Sequence, residues 1–239
     1  MIESTFSGKR IAVTRPRAQA KELQRAIEER GAQCVIVPLI EITQPDDEGF
    51  AFEQAMRNIH EYEWVVCTSA NGALRVAPYL STGATCPKLA AVGDATALAF
   101  ARVVDFVPSS ANGKSLAEQL PMSSGKVLVV QAQETSGEVV RILRDRNMRA
   151  DDVAAYKTEH CLLTDLQVDE IRSADAMLVA SGSAVRSWCT QAGPQLNGKV
   201  VAIGEPTQRV AAECGMTISA VAREASTAGV VDALAGVFA

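Results

Sequence analysis

The sequence predicts an α/β protein whose parallel sheets are covered by helices and grouped into two similar five-stranded domains. Short runs rich in Val, Ile and Ala alternate with segments of helical periodicity along the whole chain. A length of 239 residues suits one to two domains. The second half of the chain repeats motifs of the first, which favours two domains. A single sheet of ten strands is also compatible with this length.

Ten short apolar runs are the predicted strands, because such runs are typical of strands buried in a parallel sheet. Pro38 ends the second run, and the polar segment from Glu41 to Gly49, which contains Pro45, is expected to connect elements. In chain order the predicted strands are residues 10–14, 34–37, 64–68, 88–92, 106–107, 126–130, 152–156, 176–180, 200–203 and 218–221.

Helical periodicity, or a turn that opens a helix, follows most of these runs. The first helix is expected from about Ala18, with Leu23 and Ile27 on one face and Gly31 as its stop. A second helix covers Phe50 to Ile59. Further helices are expected to open near residues 71, 94, 184, 206 and 228.

Hydroxyl side chains mark three of the expected helix starts. Ser115 stands three residues before Glu118, and Thr135 three before Glu138, which is the spacing of a capping box. Helices are therefore expected to begin at Ser115 and after Thr135. Thr227 is expected to cap the last helix.

Three motifs recur in order in the second half of the chain. Gly8–Val13 recurs as Gly125–Val130, Cys67–Asn71 as Val179–Ser183, and Ala91–Thr96 as Ala202–Thr207. The order of the repeats is A, B, A′, B′, where A is a strand–helix–strand unit and B a series of strands, loops and helices. Two similar parallel domains follow from this order.

Composition excludes several classes of protein. The chain is 48% hydrophobic and 21% charged, the balance of a globular protein. Its net charge of -5 argues against nucleic-acid and membrane-surface partners held by bulk electrostatics. No apolar run approaches the ~18–20 residues of a membrane-spanning helix. The segment Met1–Ser7 lacks the features of a signal peptide, so a cytoplasmic location is expected.

Cofactor and metal signatures are also missing from the sequence. The two histidines, His60 and His160, are too few for a His-rich metal site, and no GxGxxG, GxxxxGK[ST] or GxSxG motif occurs. The six cysteines include no CxxC pair and are expected to be buried free thiols: Cys34, Cys67, Cys86, Cys161, Cys189 and Cys214. No metal, nucleotide or redox cofactor is therefore expected.

The loops at the carboxyl ends of the predicted strands are small and bear hydroxyl groups. Ligands of open parallel sheets bind at those ends, and free backbone N–H groups with the helix dipole favour anions there. An alternative is that Ser69, Thr96, Ser181 and Thr207 are simply helix caps. The loops are residues 14–16, 68–71, 93–96, 131–135, 181–183 and 204–207.

Two side chains at these strand ends carry chemistry of their own. Tyr156, one of three tyrosines, ends a predicted strand and would be protonated at neutral pH, hence able to donate a proton. It could instead be a core or interface aromatic. Arg15 is either a surface cation or a guanidinium directed at a ligand carboxylate.

In these segments the chain resembles the uroporphyrinogen-III synthase family. The resemblance implies two flavodoxin-like domains with the substrate between them. Residues 1–39 and 163–239 would form one domain, residues 45–156 an inserted second domain, and residues 40–44 and 157–162 the linkers. The matching segments are Thr14–Pro16, Val37–Ile42, Thr68–Asn71, Ala91–Thr96, Tyr156–Thr158 and Ala202–Thr207.

The resemblance also implies the reaction. Hydroxymethylbilane, a linear tetrapyrrole with eight carboxylates, would be cyclised to uroporphyrinogen III with loss of water and inversion of ring D, without a cofactor. Separately from the resemblance, a two-domain chain with no obvious interface stripe is expected to be a monomer. Tyr156 matches the family tyrosine proposed to assist departure of the hydroxyl as a general acid. The residues expected to bind substrate are Thr14, Arg15, Ser69, Ala70, Asn71, Gly93, Thr96, Ser181, Gly182, Ser183, Gly204 and Thr207.

One loop departs from the family pattern, and one other function remains open. Relatives often carry Arg-Gly after the strand at 126–130, where this chain has Gln131–Glu134. A cytoplasmic two-domain protein that binds a small anion without catalysis would show the same strand pattern. A receiver-like domain would need an acidic Mg²⁺ cluster, which Asp94 and Glu205 do not make.

Overall fold

The computed structural model describes residues 5–80 and 86–239, and within them ten strands and ten α-helices alternate. The N-terminal segment considered above lies partly outside these residues. The strands are β1 (Arg10–Val13), β2 (Gln33–Ile36), β3 (Ile40–Thr43), β4 (Tyr62–Cys67), β5 (Lys88–Ala91), β6 (Lys126–Ala132), β7 (Arg149–His160), β8 (Ala176–Val179), β9 (Lys199–Ala202) and β10 (Ala220–Val221). The helices are α1 (Arg17–Glu28), α2 (Phe50–Arg57), α3 (Ala70–Val76), α4 (Asp94–Ala99), α5 (Gly113–Gln119), α6 (Glu138–Asp145), α7 (Asp165–Arg172), α8 (Gly182–Ala192), α9 (Glu205–Glu213) and α10 (Thr227–Phe238).

The chain forms two compact units. Unit 1 comprises the residues up to Glu41 and those from Glu159 onward, and unit 2 is the continuous segment Ile42–Thr158. The residues expected as linkers, 40–44 and 157–162, lie largely in β3 and at the end of β7.

Unit 1 contains a parallel sheet in the order β10-β9-β8-β1-β2. Counted within the unit, this is the 2-1-3-4-5 order of a flavodoxin-like sheet. Alternate residues of each strand face opposite layers of helices. Ile11 and Val13 pack with α1 and α10, whereas Ala12 packs with α7, α8 and α9.

Unit 2 repeats four strands of this arrangement, in the order β7-β6-β4-β5, and has β3 as an additional edge strand beside β7. Its sheet has the order β3-β7-β6-β4-β5, in which β4–β5, β4–β6 and β6–β7 are parallel pairs. Phe106, in the shortest predicted strand, makes an isolated parallel bridge to Ala90 beside β5. Segment A′ thus pairs with B, and A with B′. Two five-stranded sheets are confirmed, and a single ten-stranded sheet is wrong for this chain.

In each unit, one carboxylate accepts hydrogen bonds that connect the two central strands of the sheet. Asp175 Oδ2 accepts the N–H of Arg10 at 2.8 Å at the start of β8 and β1. In unit 2, Glu63 Oε2 accepts the Ser123 hydroxyl at 2.6 Å and the Gly125 N–H at 2.9 Å. The hydrogen bond from Arg10 lowers the pKa of Asp175, and chiefly the one from Ser123 lowers the pKa of Glu63.

Helix starts differ from the sequence expectations at three places. Asn112, not Ser115, caps α5, because its side-chain oxygen reaches the N–H of Ser115 at 2.8 Å. Helix α6 follows Gly137, which has a φ of 66° and makes the turn that Thr135 was expected to cap. Helix α10 is capped by Ser226 rather than by Thr227.

One helix was absent from the sequence interpretation. Helix α7 begins with a capping box in which the Thr164 side chain and the Gln167 side chain each accept the other residue's backbone N–H. It is short and mostly polar, with Ile171 as its buried residue. Its weak apolar periodicity explains why it was missed.

All six cysteines are free, as expected, but the expectation of burial holds fully only for Cys67. The other five are partly exposed. Within residues 5–80 and 86–239, no group of three or more His, Cys, Asp or Glu side chains could hold a metal ion. In the same residues, no helix is long and apolar enough to cross a membrane.

Candidate active site

The carboxyl ends of β4, β5 and β6 meet at one edge of the unit 2 sheet, because these strands are parallel neighbours. Ser69 follows β4 and caps α3 there, where its Oγ accepts the N–H of Gly72 at 3.1 Å. The interpretation of Ser69 as a helix cap is therefore confirmed. Capping uses one acceptor position of the hydroxyl and leaves it free to meet another group.

Tyr156 supplies that group. Its hydroxyl donates to Ser69 Oγ at 2.8 Å, and the Asn71 side chain also hydrogen-bonds to it. The side chain belongs to the buried core of unit 2, with 6% of its surface exposed. The structure thus brings Tyr156, predicted at the end of a strand, together with Ser69 and Asn71 of the loop 68–71.

Burial keeps the Tyr156 phenol protonated. Desolvation raises the pKa of Tyr156 above its ordinary value of 10.0, and this outweighs the hydrogen bonds with Ser69 and Asn71, which lower it. At neutral pH the group is neutral and holds a transferable proton. The same two side chains would stabilise the phenolate after transfer.

A β-bulge directs Tyr156 to this place. Gln131 of β6 pairs with Ala154, but the next residue, Ala132, pairs with Tyr156, so Ala155 is an extra residue in β7. Regular alternation would put Ala155 and Tyr156 on opposite faces of the sheet. Both instead pack in the cluster of α2 and α3. The bulge therefore turns Tyr156 toward the helix that carries Ser69.

Gly93 and Thr96, the other predicted residues of unit 2, stand at the start of α4. Gly93 precedes the helix in an extended conformation, and a Cβ there would lie 2.9 Å from the Cβ of Ala111. Thr96 is buried within the helix, and its backbone N–H bonds to the carbonyl of Gly93 at 3.0 Å. The interpretation of Thr96 as a cap is wrong, because Gly93 occupies the cap position.

Thr14 and Arg15 follow β1 in unit 1. Thr14 is buried and its hydroxyl donates to the carbonyl of Leu178 at 2.7 Å, so its proton is used within the fold. Arg15 is half-buried beside a cavity of about 10 Å³ that Ala180 and Ile203 also border. Desolvation lowers the pKa of Arg15.

Ser181–Ser183 opens α8 in unit 1. Ser181 Oγ accepts the N–H of Ala184 at 3.1 Å, which confirms Ser181 as a cap. Gly182 lies so close to α9 that a Cβ would stand 2.7 Å from Val210 Cγ2. Two repeated motifs, at Ser69 and Ser181, therefore fold alike.

Gly204 and Thr207 repeat the geometry of α4 at the start of α9. Gly204 occupies the cap position, and Thr207 is buried with its N–H bonded to the carbonyl of Gly204 at 3.1 Å. Thr207 is therefore not a cap. Pro206 in the first turn has no N–H to offer a ligand.

Charge separates the helix starts into two kinds. Helices α4 and α9 carry Asp94 and Glu205 in their first turns, and these carboxylates already interact with the positive helix ends. The first turns of α1, α3 and α8 contain no acidic residue. The positive ends of α1, α3 and α8 therefore have no carboxylate in their own first turns, unlike those of α4 and α9.

The end of β6 and the loop that follows it make hydrogen bonds within unit 2. Gln131 donates to Asp152 Oδ1 at 2.7 Å, and Gln133 donates to Asp46 Oδ2 at 2.7 Å. Asp46 also pairs with Lys157 at 2.9 Å, and mainly this contact lowers the pKa of Asp46. The side-chain amides of Gln131 and Gln133 are therefore used in hydrogen bonds within unit 2.

Sequence reasoning missed Arg75, which contacts the bulge. Its Nη1 donates to the carbonyl of Ala155 and, at 2.8 Å, to Gln44 Oε1. The only signal for Arg75 in the sequence was its position four residues after Asn71, because this spacing places both side chains on one face of α3.

Comparison with known proteins gives relatives of one kind. The chain is 33% identical to the porphyrin biosynthesis protein HemD of Ruminiclostridium josui, over 66% of this chain and 34% of that protein. It therefore spans about a third of that relative's length. It is 29% identical to the chloroplastic uroporphyrinogen-III synthase of Oryza sativa subsp. japonica, over 86% of this chain and 73% of that protein.

Solved structures share the fold at low sequence identity. A mutant uroporphyrinogen III synthase of the extremely thermophilic bacterium Thermus thermophilus superposes with a TM-score of 0.66 at 14% identity, covering 95% of this chain and 97% of that chain. The synthetase of Helicobacter pylori 26695 gives 0.61 at 14% identity, covering 96% and 99%. The family model of uroporphyrinogen-III synthase HemD matches residues 21–232, which is most of the sequence. The chain therefore belongs to the uroporphyrinogen-III synthase family.

Proposed function

We propose that this protein cyclises hydroxymethylbilane to uroporphyrinogen III, with loss of water and inversion of ring D. Family membership supports the reaction. The observation that carries the proposal is the neutral hydroxyl of Tyr156 beside Ser69 and Asn71 at the carboxyl edge of a parallel sheet. Such an edge is where ligands of this fold class bind.

The first chemical step is departure of the substrate's hydroxyl group. Tyr156 gives its proton to the leaving oxygen, the carbon–oxygen bond breaks, and the products are water and a cationic azafulvene that keeps the proton on its ring nitrogen. Ser69 and Asn71 hydrogen-bond to the phenolate that remains. The substituted carbon of ring D then attacks to form a spiro intermediate, which fragments and recloses as the type III ring. Rearomatisation releases one proton, which restores Tyr156.

Substrate binding is assigned to the helix starts without acidic residues. The eight carboxylates of the substrate need cations or N–H donors. Arg15 supplies a cation, and the first turn of α8 after Ser181 supplies backbone N–H groups. Four predicted contacts are proposed to be close packing of the backbone against the substrate rather than interactions with its charges. They are those at Gly93, Thr96, Gly204 and Thr207.

Positioning is the larger part of the catalysis. Free hydroxymethylbilane closes to the type I isomer, so the protein must hold ring D where its substituted carbon reacts first. No metal or cofactor takes part in these steps. A single polypeptide is proposed as the active form.

The isomer ratio tests this function. Hydroxymethylbilane is generated in situ, purified protein is added, and the products are oxidised and separated as type I and type III uroporphyrin. We expect mostly type III without any added cofactor. Type I at the level seen without protein, from a sample shown to be folded, would overturn the proposal and leave an anion-binding protein as the alternative.

A further inference from the structure

Arg75 joins helix α3 to the bulge in β7. Its half-buried guanidinium donates to the carbonyl of Ala155 and to Gln44 Oε1, the latter at 2.8 Å. Ala155 is the extra residue of the bulge and has no register partner on β6. The whole residue is fully buried, so its carbonyl needs a donor from within the protein. Arg75 provides that donor.

The contact lies one peptide away from the Tyr156 side chain. The Ala155 carbonyl and the Tyr156 N–H belong to the same planar peptide group, so a shift of one moves the other. On its other side, Tyr156 is fixed by its own carbonyl, which accepts the N–H of Gln133 at 2.8 Å. Rotation of the bulged peptide would therefore tilt the ring and move its hydroxyl.

Helix α3 thus holds Tyr156 at two points. Ser69 at the start of the helix accepts the phenol, and Arg75 near its end holds the preceding peptide. We infer that Arg75 is a positioning residue, which sets the distance from the Tyr156 hydroxyl to the reacting atoms by holding the Ala155 carbonyl. This inference rests on the proposed function of Tyr156.

The kinetic experiment is a double-mutant cycle between Arg75 and Tyr156. Arg75→Ala is expected to lower kcat about tenfold with little change in KM, since a small displacement of a catalytic group costs rate rather than binding. In a Tyr156→Phe background the same change is expected to have no further effect on kcat. Arg75→Lys keeps a donor and is expected to recover part of the rate.

A spectroscopic measurement tests the positioning without reference to activity. The chain has three tyrosines, so ζ-¹³C-tyrosine NMR gives three signals, and Tyr156→Phe identifies the one of interest. Arg75→Ala is expected to shift this signal and its titration, and Arg75→Lys to restore them in part. Arg141→Ala is the matched control, because Arg141 is exposed on α6 and pairs only with Asp145 among the contacts described for it.

The outcomes separate the inference from the function on which it rests. An equal loss of kcat in both backgrounds, or an unmoved Tyr156 signal in Arg75→Ala, would overturn the positioning role. If Tyr156→Phe keeps full activity, the proposed role of Tyr156 fails, whereas the NMR result still decides whether Arg75 positions it. If Arg75→Ala does not fold, Arg75→Lys with the same two measurements decides the matter.

Discussion

At the scale of single residues, Tyr156 combines burial with two polar neighbours. Desolvation raises the pKa of its hydroxyl, and Ser69 and Asn71 offset only part of this rise. The group is therefore a weak acid that gives up its proton only when the acceptor gains charge density. A hydroxyl that leaves an activated carbon is such an acceptor.

Tyr156→Phe is expected to lower kcat by roughly a hundredfold, the lower end of the usual contribution of a general acid, because the proton donor is lost while the ring still fills the core. Some type III product should persist, since the fold still positions ring D. The measurement is kcat together with the isomer ratio. Tyr79→Phe is the matched control, whose hydroxyl donates to Glu53 at 2.9 Å. Full activity of the Tyr156 variant would remove this residue from the mechanism.

Sequence reasoning reached part of the site at this scale. Ser69 and Ser181 were predicted to bind substrate, with helix capping as the alternative, and the structure confirms the capping alternative. The capping alternative was wrong for Thr96 and Thr207, because the glycine three residues earlier already occupies the cap position of the helix. Arg75 was not predicted, since an arginine on a helix is most often a surface residue.

At the scale of elements, close packing of α8 on α9 requires a glycine. A Cβ at Gly182 would stand 2.7 Å from Val210 Cγ2, well inside van der Waals contact. One of the two helices would have to move. The repeated motif at Ser69 has alanine at the equivalent place, Ala70, so the requirement belongs to unit 1.

Gly182→Ala is expected to destabilise the protein by about 1–3 kcal/mol, because the added methyl group overpacks the helix contact. Adding Val210→Ala should recover part of this loss, since it removes the clashing methyl group. Gly236→Ala is the control: it lies in α10 with open space around it and is expected to be neutral or stabilising. Thermal and urea unfolding measure all four proteins. An unaltered stability of Gly182→Ala would contradict the packing argument.

Glu63 makes the stability of the contact between β4 and β6 depend on pH. Hydrogen bonds from Ser123 and Gly125 lower its pKa in the folded protein, so the unfolded chain binds the proton more tightly. The contribution of Glu63 to stability is therefore present above its ordinary pKa of 4.5 and is lost as the pH falls through the lowered folded value.

Glu63→Gln is expected to lower the melting temperature at pH 7 by a few degrees, and the difference should shrink as the pH approaches 3. Thermal unfolding of both proteins across this range measures the effect. Glu61→Gln is the matched control, because its contact with Lys126 is an exposed ion pair of small value. A difference that stays constant with pH would show that the carboxylate charge is not involved.

The sequence predicted most elements but not their irregularities. Strands such as 126–130 were readable because their apolar runs are continuous. The bulge was not, because Ala154, Ala155 and Tyr156 are all apolar enough to face either layer. Helix α7 was missed for the opposite reason: it is mostly polar, and only the Thr164–Gln167 capping box marked it.

At the scale of the whole molecule, each of the four core clusters in the described residues consists of residues from one unit. Each unit also has its own sheet and two helix layers. The interleaved repeat order was predictable because the motifs recur in sequence. The family resemblance predicted which half of the chain completes each sheet. Periodicity alone does not show which strands pair.

Residues 42–158 are expected to fold alone, with an α/β circular dichroism spectrum and cooperative thermal unfolding. Residues 1–41 and 159–239, joined by a short Gly-Ser linker, should fold as well. The N–H of Cys161 bonds to the carbonyl of Leu39 at 3.1 Å, so the cut ends lie side by side. A segment 42–158 without protected amides in hydrogen exchange would contradict this independence.

The discontinuity of unit 1 also has a consequence during synthesis. Strands β1 and β2 leave the ribosome before unit 2, but β8, which pairs with β1, follows about 140 residues after β2, a delay on the order of ten seconds at ~5–20 residues per second. Unit 2 is complete within that interval and can fold first. Until β8 emerges, the apolar side chains of β1 and α1, such as Ile11 and Leu23, lack most of their partners. Among the described elements, β1 and α1 are therefore expected to wait longest for their partners and to gain most from protection by a chaperone.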